Sequence, residues 1–191
     1  MSCILRRSAV WLTSALVFIH VAAATDLPRV SFDQMIDDSE VVVSGHVTRT
    51  WAAWDADHKF IWTHYELAVS ATHKGSAGQT VDIAEPGGQV EGMLMNISGG
   101  TAYRVGDSVL VFLSRMPNGY LRTAGLGQGK FEVDAKGVVH GTTILKSDAT
   151  VTPARGPATA GSTIRSLDGM TVGLVGQLVG ARVRAHGGSA Q

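Results

Sequence analysis

Cysteine is all but missing from this chain: Cys3 is the single one among 191 residues. Cys3 lies in a leading segment that reads as removable. The remainder is therefore expected to carry no disulfide, no thiol nucleophile and no thiolate metal site. Small domains outside the cytoplasm often lean on disulfides, so this one must rely on packing. An excess of one charge is missing too, with 16 Lys and Arg against 16 Asp and Glu. A near-neutral chain has no electrostatic footprint for nucleic acid or anionic lipid. Neither H-E-x-x-H nor G-x-S-x-G occurs, which removes the spacings of zinc hydrolases and of the strained serine turn. Gly125-Leu126-Gly127-Gln128-Gly129 holds no serine and precedes a strand pattern, so no helix N-terminus follows it to receive phosphate. No catalytic residue, enzyme activity or cofactor is expected.

What is present begins with Arg6 and Arg7, an apolar run from Ala9 to Val21, then Ala22-Ala23-Ala24 before Thr25 and Asp26. A short positive segment, an apolar stretch and small residues ahead of a polar start are the parts of a cleavable export signal. Residues 1–24 are read as that signal, which places the mature protein in the periplasm or outside the cell. An uncleaved anchor is the alternative, but the run is short for a bilayer and His20 interrupts it. No stable membrane anchor is expected after cleavage. The arginine pair also permits a twin-arginine reading, although such pairs precede many signal cores. Without Arg6 and Arg7 the balance becomes 14 basic against 16 acidic.

Residues 25–146 read as one mostly β domain. Ser31-Phe32-Asp33-Gln34 matches a capping box and predicts a short helix from Phe32 to Ser39. Val41 to Val47 is β-branched and continues in alternation to Trp51, the first strand. A second strand follows from Phe60 to Thr72. There Ile61, Thr63, Tyr65, Leu67 and Val69 share one face, and Phe60, Trp62, His64 and Glu66 the other. A short strand is predicted from Thr80 to Ala84, then a glycine-rich mobile loop or crossover from Glu85 to Gly100. Val105-Gly106-Asp107 is a turn. Val109-Leu110-Val111-Phe112-Leu113 is apolar on both faces, as the most buried strand should be. Asn118-Gly119 suits a tight hairpin, and Lys130 to Val133 pairs with Val138 to His140 around Asp134-Ala135-Lys136-Gly137. Six or seven short strands with a helix at each end argue for a small barrel. Closure also hides strand edges from aggregation.

Residues 147–162, poor in large apolar side chains, read as a flexible linker. In 163–191, Ile164, Leu167, Met170, Leu174 and Leu178 recur at helical spacing with Ser166 as cap, which predicts an amphipathic helix. Gly169, Gly173, Gly176 and Gly180 weaken it by up to about 1 kcal/mol each. Their spacing invites a membrane-dimer reading. Asp168, Gln177 and Arg182 favour docking on the barrel or a partner.

Ser39 to Val47, Thr63, Ala71-Thr72-His73-Lys74-Gly75, Val81-Asp82-Ile83 and Val105 to Leu113, in that order, resemble a group of uncharacterised exported bacterial proteins. The order is also similar to netrin and tissue-inhibitor-of-metalloproteinase domains, and that resemblance implies an OB-like barrel over Ser39 to Val133. Inhibitors of that type reach zinc through an amino-terminal cysteine, which this chain does not offer. The inhibitory mechanism is not carried over, and a protease-inhibitor reading rests on fold analogy alone.

Two candidate sites share one hairpin. Trp51, Trp54 and Trp62, with Phe60 and Tyr65 nearby, form an aromatic contact surface for an envelope or extracellular protein or a glycan. Asp55, Asp57 and His58 with His64 offer oxygen and nitrogen ligands for a divalent cation, the basis of a metal-binding or metal-assisted hydrolase alternative. Asp-x-Asp in a turn equally serves the turn itself. His46, His73 and His140 share no metal-ligand spacing. Asn96-Ile97-Ser98 matches a glycosylation sequon.

Overall fold

Ser31 starts α1 (Phe32–Asp38): its hydroxyl accepts the Gln34 amide hydrogen, and Phe32, Met35 and Ile36 turn into the core. This is seen in a computed structural model, which describes residues 30–97, 100–141 and 166–187. Residues 1–24 and 147–162, read above as an export signal and a linker, fall outside the described residues, as does Ser98 of the sequon. Lys74 completes the far end of α1, its Nζ donating to the carbonyls of Ile36 (2.5 Å) and Ser39 (2.6 Å). A cation on orphan carbonyls at a helix C-terminus is favourable both as hydrogen bonding and against the helix dipole.

Two long strands follow, β1 (Val41–Trp54) and β2 (Ile61–Lys74), paired antiparallel along nearly their whole length. β1 bends through register irregularities near Val42, Ser44 and Val47. Gly45 sits at one of them, and a Cβ there would overlap the Ala68 carbonyl oxygen. The bend lets the first half of β1 pair with β6 (Ser108–Arg115) on its other edge, Val43 opposite Val111. β3 (Thr80–Pro86) pairs with β2. β7 (Leu121–Thr123) pairs antiparallel with β6 and touches β3 in parallel at Ile83–Leu121. The ring β1-β2-β3-β7-β6 therefore closes, which makes the domain a small OB-like barrel. β8 (Lys130–Val133) and β9 (Val139–His140) extend the sheet from β6 and bring it to seven strands.

The expected loop at Glu85–Gly100 is partly a strand hairpin. β3 runs on to Pro86, and β4 (Gly88–Val90) pairs with β5 (Met93–Met95). Gly87 and Gly88 take φ of 104° and 139°, and a Cβ on Gly88 would strike the Thr63 hydroxyl. The glycines read as signs of mobility instead let this hairpin lie against β1 and β2.

β6 separates two cores. Val109, Val111 and Leu113 face the barrel interior with Val43, Leu67, Ile83 and Tyr103; Leu110 and Phe112 face outward to α1, Phe131 and the C-terminal segment. A strand covered on both sides reads as a continuous apolar run. Of the predicted inward set on β2, Ile61, Tyr65 and Leu67 are buried and Thr63 and Val69 half-buried; His64, on the opposite face, is buried too.

The C-terminal helix α2 runs from Val172 to Gly187, later than expected. Thr171, not Ser166, caps it by accepting the Leu174 amide hydrogen; Ser166 serves a turn by accepting from Asp168. Leu167 and Met170 pack ahead of the helix on either side of a turn closed by Met170 N–H to the Leu167 carbonyl at 3.1 Å, and Val139 N–H ties the Met170 carbonyl to the sheet. The buried stripe is Val175 and Val179, both 0% exposed, whereas Leu174 is 44% exposed. Of the predicted helix leucines, Leu178 packs on the same core while Leu174 does not; the centre of the face is set by the valines and by Gly176. A Cβ on Gly176 would lie 2.5 Å from His73 Nδ1, whereas Gly173 has no neighbour within 4 Å. Gly176 thus serves close helix–strand packing. No helix among the described residues is long and apolar enough to cross a membrane.

Candidate functional site: an aromatic face on the barrel exterior

Period two in β1 and β2 decides which aromatics meet. Trp51 lies opposite His64, and Ala53 opposite Trp62. With Tyr65 and Leu67 pointing inward, Trp51, Trp62 and His64 stand on the outer face. Trp54 is three residues from Trp51, opposite Ile61, and falls on the other face. It stacks instead on His58 at the hairpin tip, ring centroids 6.0 Å apart. The three tryptophans do not form one surface.

Trp51 and His64 stack at 5.0 Å with only 7° between their planes. The Arg49 guanidinium lies 4.3 Å from the Trp51 ring centroid, a cation–π contact. Tyr120, at the end of the β6–β7 turn, comes over the same face and meets Trp62 at 5.1 Å and His64 at 5.4 Å, both edge-on. The Trp62 indole Nε1 is buried and finds no acceptor among the described residues.

Polar groups frame these rings. Arg49 pairs with Glu66 at 3.2 Å, and Asp82 pairs with His64 Nδ1 at 2.9 Å. Glu66 and Asp82 are direct cross-strand neighbours, a repulsive arrangement that their separate partners offset. Sequence reasoning missed Tyr120 and Asp82. Tyr120 follows an Asn-Gly turn, a signal for a hairpin but not for what the next side chain covers.

The proposed metal ligands are not gathered. Asp55 shapes the turn, its carboxylate accepting the Lys59 amide hydrogen at 2.7 Å, and Asp57 pairs with Lys59 Nζ at 3.3 Å. His58 takes the left-handed φ of 51°. His64 lies three register positions down the ladder from Ile61–Trp54, about 10 Å away at strand rise. Among the described residues no three His, Cys, Asp or Glu cluster as a metal set.

Other polar groups meet in three places. Ser44 Oγ lies 3.1 Å from His73 Nε2, a distance at which a serine can pass a proton to a base. Burial is the cause that lowers the His73 pKa, and among the described residues no carboxylate holds the ring. Glu85, its side chain 3% exposed, accepts from the Thr123 amide at 2.9 Å and pairs with Arg122 at 3.3 Å. Nearby, Tyr103 hydrogen-bonds Thr123 at 2.5 Å, and burial pushes its phenol pKa far up. His140 stands between Asp134 (3.3 Å) and Asp168 (3.6 Å), beside a depression of about 350 Å³ that also takes in Lys130 and Glu132.

Comparison with protein-family models, curated proteins and solved structures finds no match to the chain.

Proposed function

We propose that this protein is a non-catalytic binding module, working in the periplasm or outside the cell, whose contact surface is the outer face of β1, β2 and β3 roofed by Tyr120. The observation that carries this reading is the grouping of Trp51, Trp62, His64 and Tyr120 outside the barrel, although the inside already has its own apolar filling. OB-like barrels bind ligands on the corresponding strands and the loops beside them. Aromatic rings framed by Arg49, Glu66 and Asp82 suit a protein segment or a glycan, which offer apolar faces edged with polar groups. The export reading rests on residues 1–24, and amino-terminal sequencing of the secreted or periplasmic form checks it.

Titration of the purified protein against envelope extracts and soluble glycans tests the surface. Trp51→Ala and Tyr120→Ala should each weaken capture at least tenfold, while Trp54→Ala should leave it within twofold. Equal loss from all three, or none from Trp51→Ala and Tyr120→Ala, removes the assignment.

A further inference from the structure

His73 sits on the barrel exterior where α2 crosses β2. One ring nitrogen faces the Ser44 hydroxyl at 3.1 Å, and the other faces Gly176 so closely that a Cβ would not fit. Ser44 is itself buried. The ring is wedged between sheet and helix with a hydroxyl on one side and helix backbone on the other. Among the described residues no carboxylate is placed to receive a second N–H.

The charges around it are already committed. Lys74, the next residue of β2, is turned to the α1 carbonyls. Arg182 of α2 pairs with Asp37 at 2.6 Å and Asp33 at 3.4 Å on α1, and His186 adds a positive field at Asp37. None of these contributes to His73, whose imidazole is held below its usual range by burial.

We infer that α2 is a pH-released cover, docked on the barrel while His73 is neutral and loosened when His73 takes a proton. The hinge falls between Thr171 and Gly173. Residues before it are fastened by Val139–Met170 and Gly169–Val139 hydrogen bonds and by buried Leu167, and a Cβ at Gly173 would meet nothing within 4 Å. Release would withdraw buried Val175 and Val179 from the cluster they share with Met35, Ile36 and Val42, and so open the apolar side of β2 and α1 on which α2 packs.

The sign follows from linkage. An imidazole depressed in the docked state binds fewer protons there than in the released state, so docking is unaffected above pH about 6.5 and weakens as pH falls below it. The weakening is tenfold for each unit of depression once the docked form has titrated. Asp37, lowered by its hydrogen bond to Arg182, stays ionised throughout that window.

Amide hydrogen exchange of the full chain at pH 7.5 and 5.0, expressed as protection factors, tests this. Protection of residues 175–185 should fall severalfold at pH 5.0 while Val109–Leu113 keep theirs. His73→Gln should abolish that fall, and His186→Gln should leave it intact. A flat profile for α2, an equal fall in His73→Gln, or a parallel loss in β6 overturns the inference. If His73→Gln does not fold, a proton NMR titration of the wild-type ring replaces it: His73 must titrate below pH 6.5, together with the α2 amides. Titration of His73 without any change in α2 is equally contradictory.

Discussion

Gly176 and Gly180 lie one turn apart on α2, and alanine at the two positions should act with opposite sign. On propensity alone, replacing a helical glycine by alanine stabilises by about 1 kcal/mol. At Gly180 the nearest atom to the new Cβ is Arg184 Nη1 at 3.3 Å, the far end of a flexible side chain that can move aside. Gly180→Ala should therefore gain most of that 1 kcal/mol. At Gly176 the new Cβ meets His73 Nδ1 at 2.5 Å and Cε1 at 3.1 Å, atoms of a rigid ring anchored by Ser44. Overpacking of this kind costs about 1–3 kcal/mol, so Gly176→Ala should end up to about 2 kcal/mol less stable. Urea unfolding of the protein, followed by tryptophan fluorescence and far-ultraviolet circular dichroism, measures both changes. In a His73→Ala background the clash is gone, and Gly176→Ala should become stabilising. If Gly176→Ala stabilises the wild type as much as Gly180→Ala does, the close approach of α2 to β2 is wrong.

Glu85→Ala strands the Thr123 amide and the Arg122 guanidinium beside the barrel interior; a loss of about 3–5 kcal/mol is expected in urea unfolding. Lys74→Met keeps the aliphatic stem but removes the charged cap of α1, and should cost about 1.5–3 kcal/mol by the same measurement. The Asp37–Arg182 pair holds the Asp37 carboxyl below its usual range. Its contribution is present above pH about 4 and lost as pH falls through the lowered value. Because the pair is largely exposed, solvent screening keeps that contribution under about 1 kcal/mol, and Asp37→Asn should flatten the acid limb of stability against pH by that amount.

What the sequence made legible was local. Alternation from Ile61 to Val69 identified the barrel-facing side of β2, and the doubly apolar Val109–Leu113 run identified the strand between two cores. Ser31 and Gln34 marked α1 within a residue. These signals lie within a few residues of the structure they report. Ring closure was inferred only from strand number, because the Val43–Val111 and Ile83–Leu121 pairings join segments far apart in the chain and leave no periodic trace. The make-up of the aromatic face was only partly legible for a related reason. Trp51, Trp54 and Trp62 are near in sequence, but the three-residue step from Trp51 to Trp54 crosses the sheet. Tyr120 arrives from another turn altogether. Glu85 read as the start of a loop because a carboxylate carries no apolar signal, although its partners make it part of the buried barrel.

Ring closure is tested most directly by interstrand nuclear Overhauser effects in the isotope-labelled protein. Contacts between Val43 and Val111, and between Ile83 and Leu121, should appear in the same folded species. An otherwise intact sheet with contacts along β1–β2–β3 but none from β1 to β6, or from β3 to β7, would mean that the barrel is open.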